Sequence, residues 1–171
     1  MSRLVFVDES GANTKMTRLR GRALAGQRLV ARIPHGYDQT STLISGMRLH
    51  GPCAPWLFEG PMNGEMFLAW IAQGLAPTLQ KDDVVIMDNL ATHKIRGISE
   101  AIEAVGARLL YLPPYSPDFN PIENMWSKIK AILRSQAPRT ESELLLATKT
   151  AFQAISTADC KSFFFNAKYA T

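Results

Sequence analysis

The chain contains no long hydrophobic run and only two cysteines among its 171 residues. No apolar stretch approaches the roughly 20 residues of a membrane-spanning helix, and Met1 is not followed by the apolar core of a signal peptide. Cys53 and Cys160 have no CxxC spacing, so we expect ordinary buried thiols in a reducing compartment. Together with a hydrophobic content of 46%, these absences predict a cytoplasmic protein with a single domain spanning residues 1–171 and no membrane partner.

Acidic residues are absent from one stretch, residues 15–32, which we call the basic segment. It has the sequence KMTRLRGRALAGQRLVAR and contributes six positive charges to a chain whose net charge is only +4. Its cations are Lys15, Arg18, Arg20, Arg22, Arg28 and Arg32. A local block of this kind on a near-neutral body favours a polyanion partner, although a solvated arginine-rich hairpin is an equally good interpretation.

The hydrophobic pattern predicts strands in the first third of the chain and alternating elements afterwards. The stretches RLVFVDES, RLVARIP, QTSTLISGM and PWLFEG are predicted strands, and a helix follows Asn63. DDVVIMDN is then an apolar strand of the kind covered on both faces, a helix follows it over Ile95, Ile98, Ile102 and Val105, and RLLYL is the next strand. Two helical regions complete the chain, the second from about Glu141. This order predicts an α/β protein with a mixed sheet that has an antiparallel hairpin side and a parallel side.

Two predicted strands carry aspartates near their carboxyl ends, Asp8 and Asp88. Ligand sites in such sheets gather at these ends. If the two strands are adjacent, about 4.8 Å apart, the carboxylates are close enough to share a cation. Isolated acids at strand ends are often structural, but two at equivalent ends favour a site.

A third acid, Glu123, follows a proline-rich loop in the stretch YLPPYSPDFNPIENMW. Asn120 as N-cap, Pro121 at the first helical position and Glu123 at the third match a capping box. The helical periodicity also places Glu123 on the flank of the apolar stripe, from which it could lean over the strand ends. Capping and metal binding therefore both remain open for Glu123.

Three blocks of sequence, VFVDESG, VVIMDNLATHK and LPPYSPDFNPIENMWSKIK, resemble the signature blocks of the DDE transposases of the mariner-like and bacterial insertion-sequence group. The 34 residues between Asp88 and Glu123 match the Asp-Asp-Glu branch of that group. The resemblance implies a ribonuclease H-like fold and an enzyme that cleaves DNA and transfers the strands of an insertion sequence. It further implies that Asp8, Asp88 and Glu123 are catalytic and hold two Mg²⁺ ions, for which Mn²⁺ can substitute.

The resemblance also sets expectations about partners. DNA would be bound as element ends and as target, with a homodimer or a full-length transposase as a possible protein partner and a nucleoid-associated location. Full-length relatives carry helix-turn-helix modules before the core, and we expect this chain to lack them, since Asp8 is only seven residues from Met1. GRALAGQR also lacks the proline and basic residue usual before the glycine of the basic hairpin.

Six cationic residues are candidates for contacting DNA, with a structural or solvated role as the alternative for each. Glu9 adjoins Asp8 but is expected to point to the opposite face of the strand, so it is left out of the site. The candidates are Arg18, Arg20, Arg22, His93, Lys94 and Lys130.

Other classes of function fit less well. A haloacid-dehalogenase-type phosphatase needs a second aspartate where this chain has Ser10. No GxxxxGK[ST] motif precedes VVIMDN, which argues against a P-loop ATPase. The remaining alternative is a catalytically silent, truncated transposase that binds DNA or a full-length partner.

Overall fold

The computed structural model describes residues 1–30, 33–35, 40–114 and 116–169, which form a five-stranded mixed sheet flanked by helices. The order of the strands across the sheet is β3-β2-β1-β4-β5. β1 pairs antiparallel with β2, and β2 with β3, whereas β1 pairs parallel with β4, and β4 with β5. The prediction of a hairpin side and a parallel side is therefore confirmed. The strands are β1 Leu4–Asn13, β2 Thr40–Arg48, β3 Gly51–Glu59, β4 Val84–Met87 and β5 Arg108–Tyr111.

In the described ranges, five α-helices cover the two faces of this sheet. The first continues into a π-helical turn, Ile71–Leu75, and three short 3₁₀ turns cover Ala76–Thr78, Ala91–Lys94 and Pro117–Phe119. The helices are α1 Gly64–Trp70, α2 Ile98–Glu103, α3 Ile122–Gln136, α4 Glu141–Gln153 and α5 Thr157–Asn166.

The alternation of side chains along β1 divides the core into two layers. Phe6 and Ala12 pack with buried residues of α3, α4 and α5 on one face, whereas Val5 and Val7 pack with those of α1, its π turn and α2 on the other. Both faces of the central strands are covered, which explains their continuous apolar sequence. Asp8 has the same parity as Phe6 and therefore belongs to the α3 face.

Local sequence signals account for several helix ends. The side chain of Asn63 accepts a hydrogen bond of 2.9 Å from the amide of Met66, as expected for the cap that begins α1. Gly106 has φ of +77°, a left-handed conformation that favours glycine and ends the segment after α2. Ser156 and Asp159 form a reciprocal capping box at the start of α5.

Three sequence predictions are wrong in detail. RLVARIP forms no strand in its described residues, because Leu29, Val30 and Ile33 are exposed and have no sheet face to pack against; Ala31 and Arg32 lie outside the described residues. Ile95 and Val105 lie outside α2, which begins only after Gly97 with φ of +102°. β1 continues five residues beyond Asp8, since its hydrogen bonding with β2 persists after β4 has ended.

Across the described part of the chain, no helix combines the length and the apolar character needed to cross a membrane.

Candidate active site

Strand register brings the two aspartates side by side. β1 and β4 are adjacent and parallel, with Phe6 opposite Ile86 and Val7 opposite Met87. The next position in each chain is an aspartate, Asp8 and Asp88. The condition for a shared site, adjacency of the two strands, is therefore met, since each acid directly follows the last residue pair of the ladder.

Glu123 reaches the same place from α3. A cleft of about 420 Å³ is lined by Asp8, Asp88 and Glu123, with a largely apolar wall from the loops that follow β4 and β5. That wall includes Leu90, Leu112, Pro113, Pro114 and Pro117. The structure thus brings together all three predicted carboxylates at one opening.

The capping interpretation of Glu123 is not realised. α3 has no side-chain hydrogen bond at its N-terminus, and the amide of Glu123 instead meets the backbone carbonyl of Asn120 at 3.2 Å. Asn120 is only 4% exposed, yet its Oδ1 has no hydrogen-bond partner among the described residues. Glu123 itself is exposed, which leaves its carboxylate available to the cleft.

Asp8 lies in a low-polarity, negatively charged setting. The residue is 8% exposed, and the indole Nε1 of Trp126 donates a hydrogen bond of 3.1 Å to its Oδ2. Burial raises the pKa of Asp8 to about 8, and the nearby charges of Glu123, Glu9 and Asp88 act in the same direction. Without a cation, the carboxyl group of Asp8 is therefore largely protonated at neutral pH.

His93 favours the charged form of Asp88, whereas burial favours the neutral form of Asp8. Burial would raise the pKa of Asp88, but the contact with His93 and a hydrogen bond from the amide of Leu90 lower it. Burial would likewise lower the pKa of His93, but Asp88 and Glu9 outweigh burial and raise it to about 9. An imidazolium therefore lies between two carboxylates behind the cleft.

The cationic candidates fall into three environments. Arg18, Arg20 and Arg22 are exposed on a described stretch without helix or strand. Lys94 is also exposed, with its Nζ 5.7 Å from the centre of the Tyr111 ring. His93 is fully buried, so the structure contradicts its assignment as a residue that contacts phosphate directly.

Lys130 lines a second cleft of about 360 Å³ between α3 and the end of β1. Lys15 and Arg134 line it as well, which makes this cleft basic. Glu123, Lys130 and Arg134 follow one another along α3, and at about 1.5 Å per residue they span about 16 Å. Two positive charges, Lys130 and Arg134, therefore follow Glu123 along α3 in the direction away from the carboxylate cleft.

The donor set fits hard divalent cations held by a few ligands each. In the described ranges, no three His, Cys, Asp or Glu side chains converge closely enough to hold one ion together. Mg²⁺ commonly takes only one or two carboxylates and completes its shell with water and phosphate oxygens. Three carboxylates along one cleft suit that mode, and a cation there would offset the mutual repulsion of Asp8, Glu123 and Asp88.

Sequence reasoning missed Glu9, Trp126 and Arg134. Glu9 does point to the face opposite Asp8, but from there it reaches His93 at 3.0 Å. Trp126 is a buried residue of α3, and the only signal for its role in the sequence is that a buried indole N–H needs an acceptor. Arg134 lies four residues after Lys130, a helical spacing that predicts a shared face.

The fold is similar to that of solved transposase structures. A crystal structure of a pre-cleavage Mos1 transpososome matches with a TM-score of 0.77 and 16% identity, over 97% of this chain and 53% of the other. The Mos1 mariner paired-end complex with Mn matches with a TM-score of 0.76, 17% identity, and coverage of 98% and 54%. The catalytic domain of Mos1 mariner transposase matches with a TM-score of 0.71, 15% identity, and coverage of 97% and 77%. The chain thus has the ribonuclease H-like fold and spans about half the length of the first two of these chains.

At the level of sequence, no curated protein matches the chain. The family model of the DDE superfamily endonucleases does match, over residues 3–145, and this range contains both strand aspartates, Glu123 and the cleft they line. The match covers most of the sequence, so the chain belongs to the DDE superfamily of endonucleases.

Proposed function

We propose that this chain is a transposase catalytic domain that cleaves DNA strands and joins them to a target, with Asp8, Asp88 and Glu123 as catalytic residues. The observation that carries the proposal is the register of β1 and β4, which sets Asp8 beside Asp88 in a cleft that Glu123 also lines. Membership of the DDE superfamily endonucleases supports a metal-dependent polynucleotidyl transfer.

Two divalent ions, Mg²⁺ or Mn²⁺, would be held by these three carboxylates. When bound, the ions would supply activation of the attacking hydroxyl and stabilisation of the leaving oxygen. The chain's own residues prepare that site in three ways. Trp126 fixes one oxygen of Asp8, His93 contacts one oxygen of Asp88, and the apolar wall of the cleft limits access of bulk water.

The cationic side chains would hold the DNA backbone. Lys130 lies along α3 from Glu123, and Arg18, Arg20, Arg22 and Lys94 are exposed. Phosphate contacts of this kind fix position without reading sequence. We therefore assign DNA, as element ends and as target, to this chain as its substrate. The solved Mos1 complexes, a transpososome and a strand transfer complex, support that choice.

The rest of the proposal concerns assembly and location. The described elements would act as a single catalytic domain, either as a homodimer or with a full-length transposase, in the cytoplasm and associated with the nucleoid. Analytical ultracentrifugation of the chain with and without DNA tests the dimer.

The test of the catalytic assignment is nicking of supercoiled DNA by the purified chain. We expect slow cleavage with Mg²⁺ or Mn²⁺, none with Ca²⁺ or a chelator, and none by Asp88→Asn. The matched control is Asp118→Asn, an exposed aspartate outside the lining of the cleft, which should cleave like the parent. Cleavage by Asp88→Asn at the parental rate would show that the assignment is wrong. Salt-dependent DNA binding without cleavage under any of these metals would instead favour the catalytically silent form.

A further inference from the structure

A buried histidine behind the cleft connects a glutamate of β1 with the aspartate that follows β4. Nε2 of His93 lies 3.0 Å from Oε2 of Glu9, and Nδ1 lies 2.6 Å from Oδ1 of Asp88. The second contact is the shorter of the two and joins the imidazole to the Asp88 carboxylate as an ion pair. The imidazole is fully buried and therefore has no access to solvent as an alternative partner.

The position of this imidazole is fixed by packing as well as by charge. Its ring stacks on Phe67 with centroids 4.3 Å apart and an angle of 28° between the planes. The hydroxyl of Tyr111 donates a hydrogen bond of 2.8 Å to the backbone carbonyl of His93, which secures the 3₁₀ turn Ala91–Lys94. A side chain held in this way presents Nδ1 to Asp88 from one direction only.

The two oxygens of Asp88 differ as a result. Oδ1 receives both His93 Nδ1 at 2.6 Å and the amide of Leu90 at 3.1 Å. Among the described residues, the hydrogen bonds and ion pairs of this carboxylate all involve Oδ1, which leaves Oδ2 for the cleft. The side chain is about one-third exposed, so Oδ2 has room for an external ligand.

We propose that His93 is a positioning residue that orients the Asp88 carboxylate for a divalent cation, and that Glu9 acts through His93 by holding the imidazole from the far side of the sheet. Groups that hold a metal ligand from behind typically alter metal affinity by about 10–100-fold when they are removed. This role differs from DNA contact, and it gives Glu9 a function although its side chain lies on the face opposite Asp8. It rests on the proposed role of Asp88 as a metal ligand.

The test compares replacements that keep one of the two contacts. Asn carries its amide nitrogen at the δ position, where His has Nδ1, and Gln carries it at the ε position, where His has Nε2. His93→Asn therefore retains a donor toward Asp88, His93→Gln retains one only toward Glu9, and His93→Leu retains neither. Glu9→Gln keeps an acceptor for Nε2, whereas Glu9→Leu removes it.

Binding of Mn²⁺ to the full chain without DNA, followed by electron paramagnetic resonance, is the main measurement. We expect His93→Leu and His93→Gln to bind Mn²⁺ at least about tenfold more weakly than the parent, and His93→Asn to recover affinity to within about threefold. We expect Glu9→Leu to bind a few-fold more weakly and Glu9→Gln to bind like the parent. Thermal unfolding without metal separates these effects from lost packing.

Two outcomes would overturn the inference. One is parental Mn²⁺ affinity in folded His93→Leu, and the other is affinity that follows thermal stability across the three His93 variants without recovery in Asn. If no His93 variant folds, the Glu9 pair decides, and equal affinities of Leu and Gln at that position refute the role.

Asp88→Asn distinguishes this inference from the proposed function. Parental Mn²⁺ affinity in that variant would show that Asp88 is not a metal ligand, and the proposed function would then fail together with this inference. Loss of Mn²⁺ binding in Asp88→Asn together with parental binding in His93→Leu would refute only the positioning role of His93 and leave the metal site in place.

Discussion

Asp8 makes the metal-free protein less stable as the pH rises. The pKa of this carboxyl group rises on folding from an ordinary 3.8 to about 8, chiefly because the group is buried and secondly because Glu123 is close. Between these two values the folded state holds a proton that the unfolded state has released. Stability from this group is therefore fully present below about pH 4 and is lost as pH rises through about 8.

The size of the effect follows from the two pKa values. Between pH 5 and pH 8, linkage gives a loss in the free energy of unfolding on the order of 3 kcal/mol from Asp8 alone. Asp8→Asn keeps an oxygen that can accept the hydrogen bond from Trp126 but has no proton to lose. We therefore expect the stability advantage of the variant over the parent to grow by a margin of that order between pH 5 and pH 8.

Urea unfolding in the presence of a chelator, at pH 5, 6.5 and 8, measures this difference. Asp118→Asn, an exposed aspartate, is the control for removing one carboxylate anywhere on the surface and should follow the parent at all three values. If the difference in stability between Asp8→Asn and the parent is the same at pH 5 and pH 8, burial does not raise the pKa of Asp8 and the reasoning is wrong. Added Mn²⁺ should stabilise the parent more at pH 8 than at pH 6, since a bound cation favours the charged form.

Three further predictions test other parts of the molecule. Glu123→Gln should leave the thermal stability of the metal-free protein unchanged, because no capping hydrogen bond is lost. The same variant should cleave DNA at least about a hundredfold more slowly, and cleavage at the parental rate would show that Glu123 is not catalytic. Replacing the three exposed arginines of the basic segment with Ala should flatten the slope of log affinity for duplex DNA against log salt by up to about 2.7 in filter-binding measurements, and an unchanged slope would make the segment a solvated loop. The arginines are Arg18, Arg20 and Arg22. Phe164→Ala, at a fully buried position against Phe6, should cost about 3–5 kcal/mol in chemical unfolding, and a loss below about 1 kcal/mol would contradict the packing described for α5.

Much of the fold was predictable because its signals are local. The apolar runs at Val5–Val7 and Val84–Met87, the Asn63 cap and the periodicity of α3 depend on burial and hydrogen bonding within a few residues. The failures occur where a local propensity met no partner. The β-branched residues of RLVARIP form no strand in the described part, because strand formation requires a neighbouring strand and a face to pack against.

The three carboxylates illustrate the same division. The sequence by itself determined which carboxylates are candidates for the site, since acids at the ends of two apolar strands and at the start of an amphipathic helix form a recognisable pattern. It also determined the candidates for a cationic surface, because a segment without a single acid is visible in the composition.

Only the tertiary structure decided what each of these groups does to its neighbours. Strand order made Asp8 and Asp88 neighbours, and the turn after β4 placed His93 between Asp88 and Glu9. Burial raised the pKa of Asp8, whereas the contact with His93 and the Leu90 amide outweighed burial and lowered the pKa of Asp88. The contacts of these groups join residues up to 118 positions apart in the chain. Coulomb and desolvation energies depend on distance and burial, which no local pattern in the sequence specifies.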